Sequence, residues 1–158
     1  MTTTLVPAVT LLAGVLSALL AGLYLAFSLS IMPALARLPD ATLVSVMQTI
    51  NRVIVRPAFA VVFAGAPLVA VVALVLALVA GAPVLDVLVG TLLQVASVAI
   101  TGAVNIPLNN ALDRADPDDV GDVARAREAF ERPWGRAHGV RTAATTLGAV
   151  ALLAAPLL

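Results

Sequence analysis

The hydrophobic and polar positions of this chain separate into four long charge-free runs and two charged connections. Residues 1–36, 57–85, 87–112 and 142–158 contain no Asp, Glu, Lys or Arg. A helix needs about 20 apolar residues to cross the hydrocarbon core of a bilayer. The first three runs reach that length outright, and the fourth does so when it begins near His138. Continuous apolar character, without two-residue alternation, selects helices over barrel strands. Spans are therefore expected at 6–35, 58–81, 84–108 and 137–157. The first run is long and no Lys or Arg precedes it, so it reads as a span and not a signal peptide.

Each charged connection predicts a helix of its own. In the first, over 40–55, Leu43, Met47, Ile50 and Ile54 share one face while Gln48, Asn51 and Arg52 share another. Asp40 is the expected N-cap and Pro57 opens the second span. In the second, over 117–132, Asp116-Pro117-Asp118-Asp119 is a helix start, and Val123, Ala126, Phe130 and Trp134 form an apolar stripe for the membrane surface or the bundle end. Arg127/Glu131 and Glu128/Arg132 stand at i,i+4 spacing, and Pro133 is expected to kink or end this helix before span four.

The expected fold is thus all-α: an integral membrane four-helix bundle, one domain over 1–158, with two short amphipathic helices in its connections. All nine arginines fall in or beside the first and third connections, and the second has none. By the positive-inside rule those connections are cytoplasmic, both termini are extracytoplasmic, and the chain is a multi-pass protein of the cell membrane.

Composition agrees and narrows the chemistry. Hydrophobic residues make up 61% and charged residues 11%, against about 25% charged in soluble domains. The formal net charge is zero, which does not suit a nucleic-acid surface; the partner is the lipid bilayer. The absence of cysteine removes disulfides, thiolate metal sites and a Cys nucleophile, and a single histidine removes a multi-histidine metal centre.

Polar residues inside the spans fall into stripes. Gly90, Gln94, Ser97, Thr101, Asn105 and Asn109 line one face of span three; Thr10, Gly14, Ser17, Ala21, Tyr24 and Ser28 line one face of span one; His138, Arg141, Thr145 and Gly148 line span four. Small and weakly polar residues in such stripes serve helix packing in most membrane proteins. Gln94, Asn105, Asn109, Tyr24, His138 and Arg141 are larger and need partners when buried. Tyr24, Gln48, Asn51, Arg52, Asn105, Asn109, Trp134, His138 and Arg141 all fall at the cytoplasmic level. A pocket is expected there, apolar toward the membrane centre and polar at its mouth, suited to a flat, mostly apolar molecule with one or two oxygens. His138 is the only side chain among them with an unperturbed pKa near neutrality, which makes it the candidate base; the alternative is a histidine capping the start of span four.

Four segments, AGLYLAFSLSIMPAL (21–35), MQTINRVIVRPAF (47–59), GAVNIPLNNAL (102–112) and RPWGRAHGVRT (132–142), together resemble the anthrone oxygenase-like family of small four-helix membrane proteins. The resemblance implies an oxidoreductase, a cofactor-free monooxygenase that oxidises an anthrone-like or quinone-like aromatic substrate with O2, without metal or flavin. Matching positions are Gln48, Asn51, Arg52, Asn105, Asn109, Trp134 and Arg141. The asparagines would bind substrate oxygens, Arg52 and Arg141 would stabilise an anion, and Trp134 would wall the mouth. The family more often has an aromatic residue followed by Asn where this chain has Ala137-His138, so the base role of His138 rests on its chemistry alone. The competing reading is a non-catalytic accessory protein whose stripes only pack helices. A transporter fits least, because the expected spans place no Asp, Glu, Lys or Arg at mid-membrane to couple a proton or an ion.

Overall fold

A computed structural model describes residues 2–157 of the chain. The elements run α1 (Thr2–Ala26), a π-helical turn (Phe27–Ile31), α2 (Met32–Leu35), α3 (Asp40–Ile54), α4 (Pro57–Ala80), α5 (Leu85–Ile100), a second π-helical turn (Thr101–Asn105), α6 (Ile106–Leu112) and α7 (Val120–Ala154). The described residues contain no strand. Four stretches, Thr4–Leu35, Pro57–Ala80, Leu85–Leu112 and Val120–Leu157, are long and apolar enough to cross a membrane. At 1.5 Å rise per residue even the shortest is about 36 Å long, against a hydrocarbon core of about 30 Å. The fold is an all-helical, multi-pass membrane bundle.

Packing follows the stripes. α7 lies between α1 and α5, and α4 closes the ring by packing on α1 and on α5. The stripe of span three meets α7 in antiparallel register. Gln94 Nε2 donates to the Thr145 carbonyl, Thr145 Oγ1 donates to Ser97 Oγ, and Arg141 Nη1 donates to Thr101 Oγ1. Further along, Asn105 Nδ2 donates to the Trp134 carbonyl, and Trp134 Nε1 donates to Asn109 Oδ1 at 2.8 Å. The backbones touch where both sides lack a Cβ: a Cβ on Gly148 would sit 3.1 Å from the Gly90 carbonyl oxygen and 2.7 Å from Gln94 Nε2. Span one joins the other side of α7 through His138 to the Tyr24 carbonyl and Ser28 to Thr142.

Both π-helical turns have the same local cause. Each is followed by one residue and then a proline, Pro33 or Pro107. A proline has no N–H for the carbonyl four residues back, and its ring crowds that carbonyl. The carbonyls concerned, of Leu29 and Ala103, both lie within the widened turns.

Three expectations about helix ends are corrected. α7 is continuous through Pro133, so of the two outcomes expected there, a kink or an end, the helix does not end. Proline removes only one backbone bond, and Phe130, Trp134, His138 and Arg141 present one buried face on both sides of it, so packing carries the helix through. α7 also starts later than 117. Asp119 is its N-cap, accepting from Gly121 N and Asp122 N, while Asp116 accepts from Asp118 N in the preceding turn. Pro39, not Asp40, caps α3. Asp40 instead pairs with Arg127 at 2.8 Å. Arg127 also donates to the carbonyls of Ala36 and Leu38 and pairs with Glu131, tying the α2–α3 turn to α7. The apolar faces of α3 and early α7 meet at the bundle end, where Leu43, Met47, Val123, Phe130 and Trp134 form one core cluster.

Candidate functional site

α4 is enclosed along only part of its length. Its buried residues, Ala66, Ala70, Ala73 and Ala77, recur every three or four positions and begin about two and a half turns after Pro57. Alanines let α1 and α5 approach there, and Thr91 Oγ1 donates to the Ala70 carbonyl. Before Ala66 the helix buries nothing fully, and a cavity of about 370 Å³ lies beside it at the arginine-bearing end of the bundle. α1 contributes Leu23, Tyr24 and Phe27, and α3 contributes Met47, Ile50, Asn51, Ile54 and the adjoining Val55. Phe59, Ala60 and Phe63 come from α4; Thr101, Ile106, Asn109 and Asn110 from the second π turn and α6; Trp134 and Arg141 from α7.

Polar groups line the cavity at both levels, Asn51, Asn109 and Asn110 nearer its opening and others at its inner end. The deep wall carries Tyr24, Thr101 and Arg141, all buried, while the exposed lining is Val55, Ala60, Ile106 and Asn110. Arg141 lies on the face of α7 that turns into the bundle, so its charge is at the floor.

Arg141 is 8% exposed. Its Nε donates to His138 Nδ1 at 3.1 Å, Nη2 approaches the same nitrogen at 2.9 Å, and Nη1 donates to Thr101 Oγ1 at 3.1 Å. The guanidinium lies 4.3 Å from the centre of the Tyr24 ring and 5.5 Å from that of Trp134. The ion pairs among the described residues involve Arg52, Arg125 and Arg127, and none reaches Arg141. Two of its five N–H donors make no bond to another described residue. Two neighbours on the cavity wall are also short of partners: Tyr24 OH and Asn51 Nδ2 are buried and unbonded among the described residues.

His138 stands behind this wall, not on it. Its ring stacks on Trp134 at 4.5 Å and 11°, with Tyr24 edge-on at 5.5 Å. Nδ1 accepts from Arg141, which leaves Nε2 as the protonated nitrogen facing the Tyr24 carbonyl at 3.0 Å. Both nitrogens are engaged, so in this arrangement the ring has no free lone pair for a base and instead fixes the guanidinium.

The other sequence-derived residues divide. Tyr24, Asn51, Asn109, Trp134 and Arg141 meet at the cavity. Asn105 is fully buried one layer away, holding α7 through the Trp134 carbonyl, with its own Oδ1 unpartnered. Gln48 is turned toward the bundle end, where Nε2 donates to the carbonyls of Leu112 and Ala115 and caps α6. Arg52 is on the outer surface, paired with Asp113 at 3.4 Å with both side chains exposed. Sequence reasoning did not single out Phe59, Phe63, Ile50 or Asn110 as site residues. A signal existed for the first two: they are the only aromatics of span two, at i,i+4, and stack at 5.4 Å.

These features define a class: a multi-pass helical membrane protein with an apolar chamber whose floor is an uncompensated cation. The sequence model of the anthrone oxygenase family matches residues 56–151, about three-fifths of the chain, and the chain belongs to that family. Asn105, Asn109, Trp134, His138 and Arg141 lie within the matched region, whereas Tyr24, Gln48, Asn51 and Arg52 precede it. No curated protein and no solved structure matches the chain.

Proposed function

We propose that this protein is a cofactor-free oxygenase that oxidises an anthrone-like aromatic ketone with O2 in the chamber beneath α3, with that end of the bundle facing the cytoplasm and both termini outside. One observation carries the reading: Arg141 is a buried guanidinium on the chamber wall without a carboxylate partner. Taking an ion out of water costs several kcal/mol unless an opposite charge compensates it. An anionic oxygen of a bound ligand would supply that charge and use the two spare N–H donors.

The chemistry then follows from the substrate class. Ionising the C–H opposite the ketone of an anthrone moves negative charge onto the ketone oxygen. A positioned guanidinium stabilises that oxyanion more than the neutral ketone, which is what lowers the barrier. No carboxylate lines the chamber, so water at the mouth takes the proton and Arg141 supplies the driving force. The carbanion is oxidised by O2, forming a C–O bond and, after protonation, a hydroperoxide. Loss of water leaves the quinone, so that anthrone plus O2 gives anthraquinone plus water. His138 is a positioning residue that orients Arg141. Tyr24 and Asn51 donate to substrate oxygens, Asn109 holds Trp134 in place, and the apolar lining accepts the rings. Helix packing accounts for Gln94, Ser97 and Thr145 and for the Arg141–Thr101 bond, but not for a buried charge with two spare donors and no counter-charge.

The test is O2 uptake with stoichiometric anthraquinone formation by the purified protein in chelator-treated buffer, comparing wild type with Tyr24→Phe. Turnover that falls in the variant while the fold is retained supports the reading. The absence of uptake across a panel of anthrones and hydroquinones refutes it and leaves an accessory protein.

A further inference from the structure

The chamber lies inside a bundle, so its ligand needs a way in. α4 packs along α1 and, through its alanine face, on α5, but has no comparable packing against α6. Of the lining residues open to the outside, Ala60 belongs to α4 and Ile106 and Asn110 to α6, the two sides of that seam, while Val55 stands in the α3–α4 connection. Ala60 lies about 5 Å along α4 from Pro57, and Ile106 about 9 Å from the end of α6 at Leu112. Half the hydrocarbon core is about 15 Å, so the opening faces acyl chains as well as headgroups. Three of its four residues are apolar, which suits acyl chains, while Asn110 stands at the headgroup-level edge of the opening, within reach of water. Just inside it the stacked rings of Phe59 and Phe63 present an aromatic wall leading toward Arg141.

We propose that the chamber is loaded sideways from the bilayer, through the seam between α4 and α6, by a membrane-dissolved flat aromatic molecule carrying one anionic oxygen. This goes beyond the oxygenase reading, because the route holds whether or not the ligand is oxidised. The small side chain of Ala60 keeps the seam open, and Arg141 at the floor draws the oxygen end inward.

Trp134 is the only tryptophan and sits on the chamber wall, so its fluorescence reports occupancy. The protein in phosphatidylcholine vesicles is mixed with vesicles containing 2-hydroxyanthraquinone, whose phenol has no internal hydrogen bond and ionises in mildly alkaline buffer, and which absorbs in the near ultraviolet. Wild type is expected to show saturable quenching as the mole fraction of probe in the lipid rises. The double variant Ala60→Phe, Ile106→Phe, altered at two exposed positions, is expected to quench roughly tenfold more slowly or worse. The chain has no cysteine, so A60C labelled with a bulky maleimide after reconstitution blocks the seam in the already folded protein if the double variant misfolds. Quenching at an unchanged rate with the seam blocked overturns the proposal. O2 uptake is read separately. Seam-dependent quenching without uptake removes the oxygenase reading and leaves the route; uptake indifferent to the plug does the reverse.

Discussion

Replacing Arg141 with methionine should separate stability from activity. The substitution keeps length and apolar volume and removes a guanidinium that is 8% exposed. On the unfavourable side, His138 Nδ1 loses its donor, worth about 1–3 kcal/mol for a buried unsatisfied acceptor. The stacking of charge over Tyr24 is lost as well, about 1–2 kcal/mol. Thr101 Oγ1 loses little, because it still donates to the Ser97 carbonyl. On the favourable side, the desolvation of an ion with no counter-charge disappears, and that penalty is several kcal/mol. The two sides nearly cancel, so R141M is expected to unfold at the same denaturant activity as wild type or to gain up to about 2 kcal/mol. Turnover should fall by at least about 100-fold, the loss seen when one positioned oxyanion donor is removed. The assay pairs unfolding in mixed detergent micelles with O2 uptake on an anthrone. A stability loss above about 2 kcal/mol, with activity falling only as the folded fraction falls, would show that Arg141 is a structural cross-link and refute the reasoning.

Three further outcomes are expected. Gly148→Ala should lose about 1–3 kcal/mol, because its Cβ would meet the Gly90 carbonyl at 3.1 Å and Gln94 Nε2 at 2.7 Å; thermal unfolding in micelles measures it. Gln48→Leu should cost about 1–3 kcal/mol by stripping the donor from the Leu112 and Ala115 carbonyls, with hydrogen exchange rising first at the end of α6. Arg52→Ala should change stability by less than about 0.5 kcal/mol and leave turnover intact, since its partner Asp113 is itself exposed; a large loss of turnover would return Arg52 to the site.

The spans were legible because lipid imposes one crude rule, length without charge, which three runs obey outright and the fourth obeys except for Arg141 near its start. The stripes were legible because polar groups in a bundle must find one another, and Gln94, Ser97, Thr101 and Asn105 do so against α7. Direction within a stripe was harder. Gln48 and Asn51 share a polar face of α3, yet one caps α6 and the other lines the chamber, a difference of side-chain aim that spacing cannot encode. Arg52 matched a family motif but lies one position round the helix from Asn51, far enough to reach the surface. The continuity of α7 through Pro133 was hidden because a local breaker was weighed without the buried faces on either side. The depth of Arg141 was hidden for the same reason: rotation of α7 about its axis, set by tertiary packing, decides whether its guanidinium faces the mouth or the floor.

The widened turn before Pro107 acts as a rotational offset built into the third span. An α-helix advances 100° per residue, so excising a single residue such as Gly102 to restore a regular helix would swing everything beyond it by nearly a third of a revolution. Asn109 would leave Trp134 Nε1, and Asn105 would leave the Trp134 carbonyl. Span one, with its matching turn before Pro33, carries the same sensitivity for whatever follows Ile31. Sequences of this architecture should therefore accept exchanges of side chain at these two places far more readily than a change in residue count.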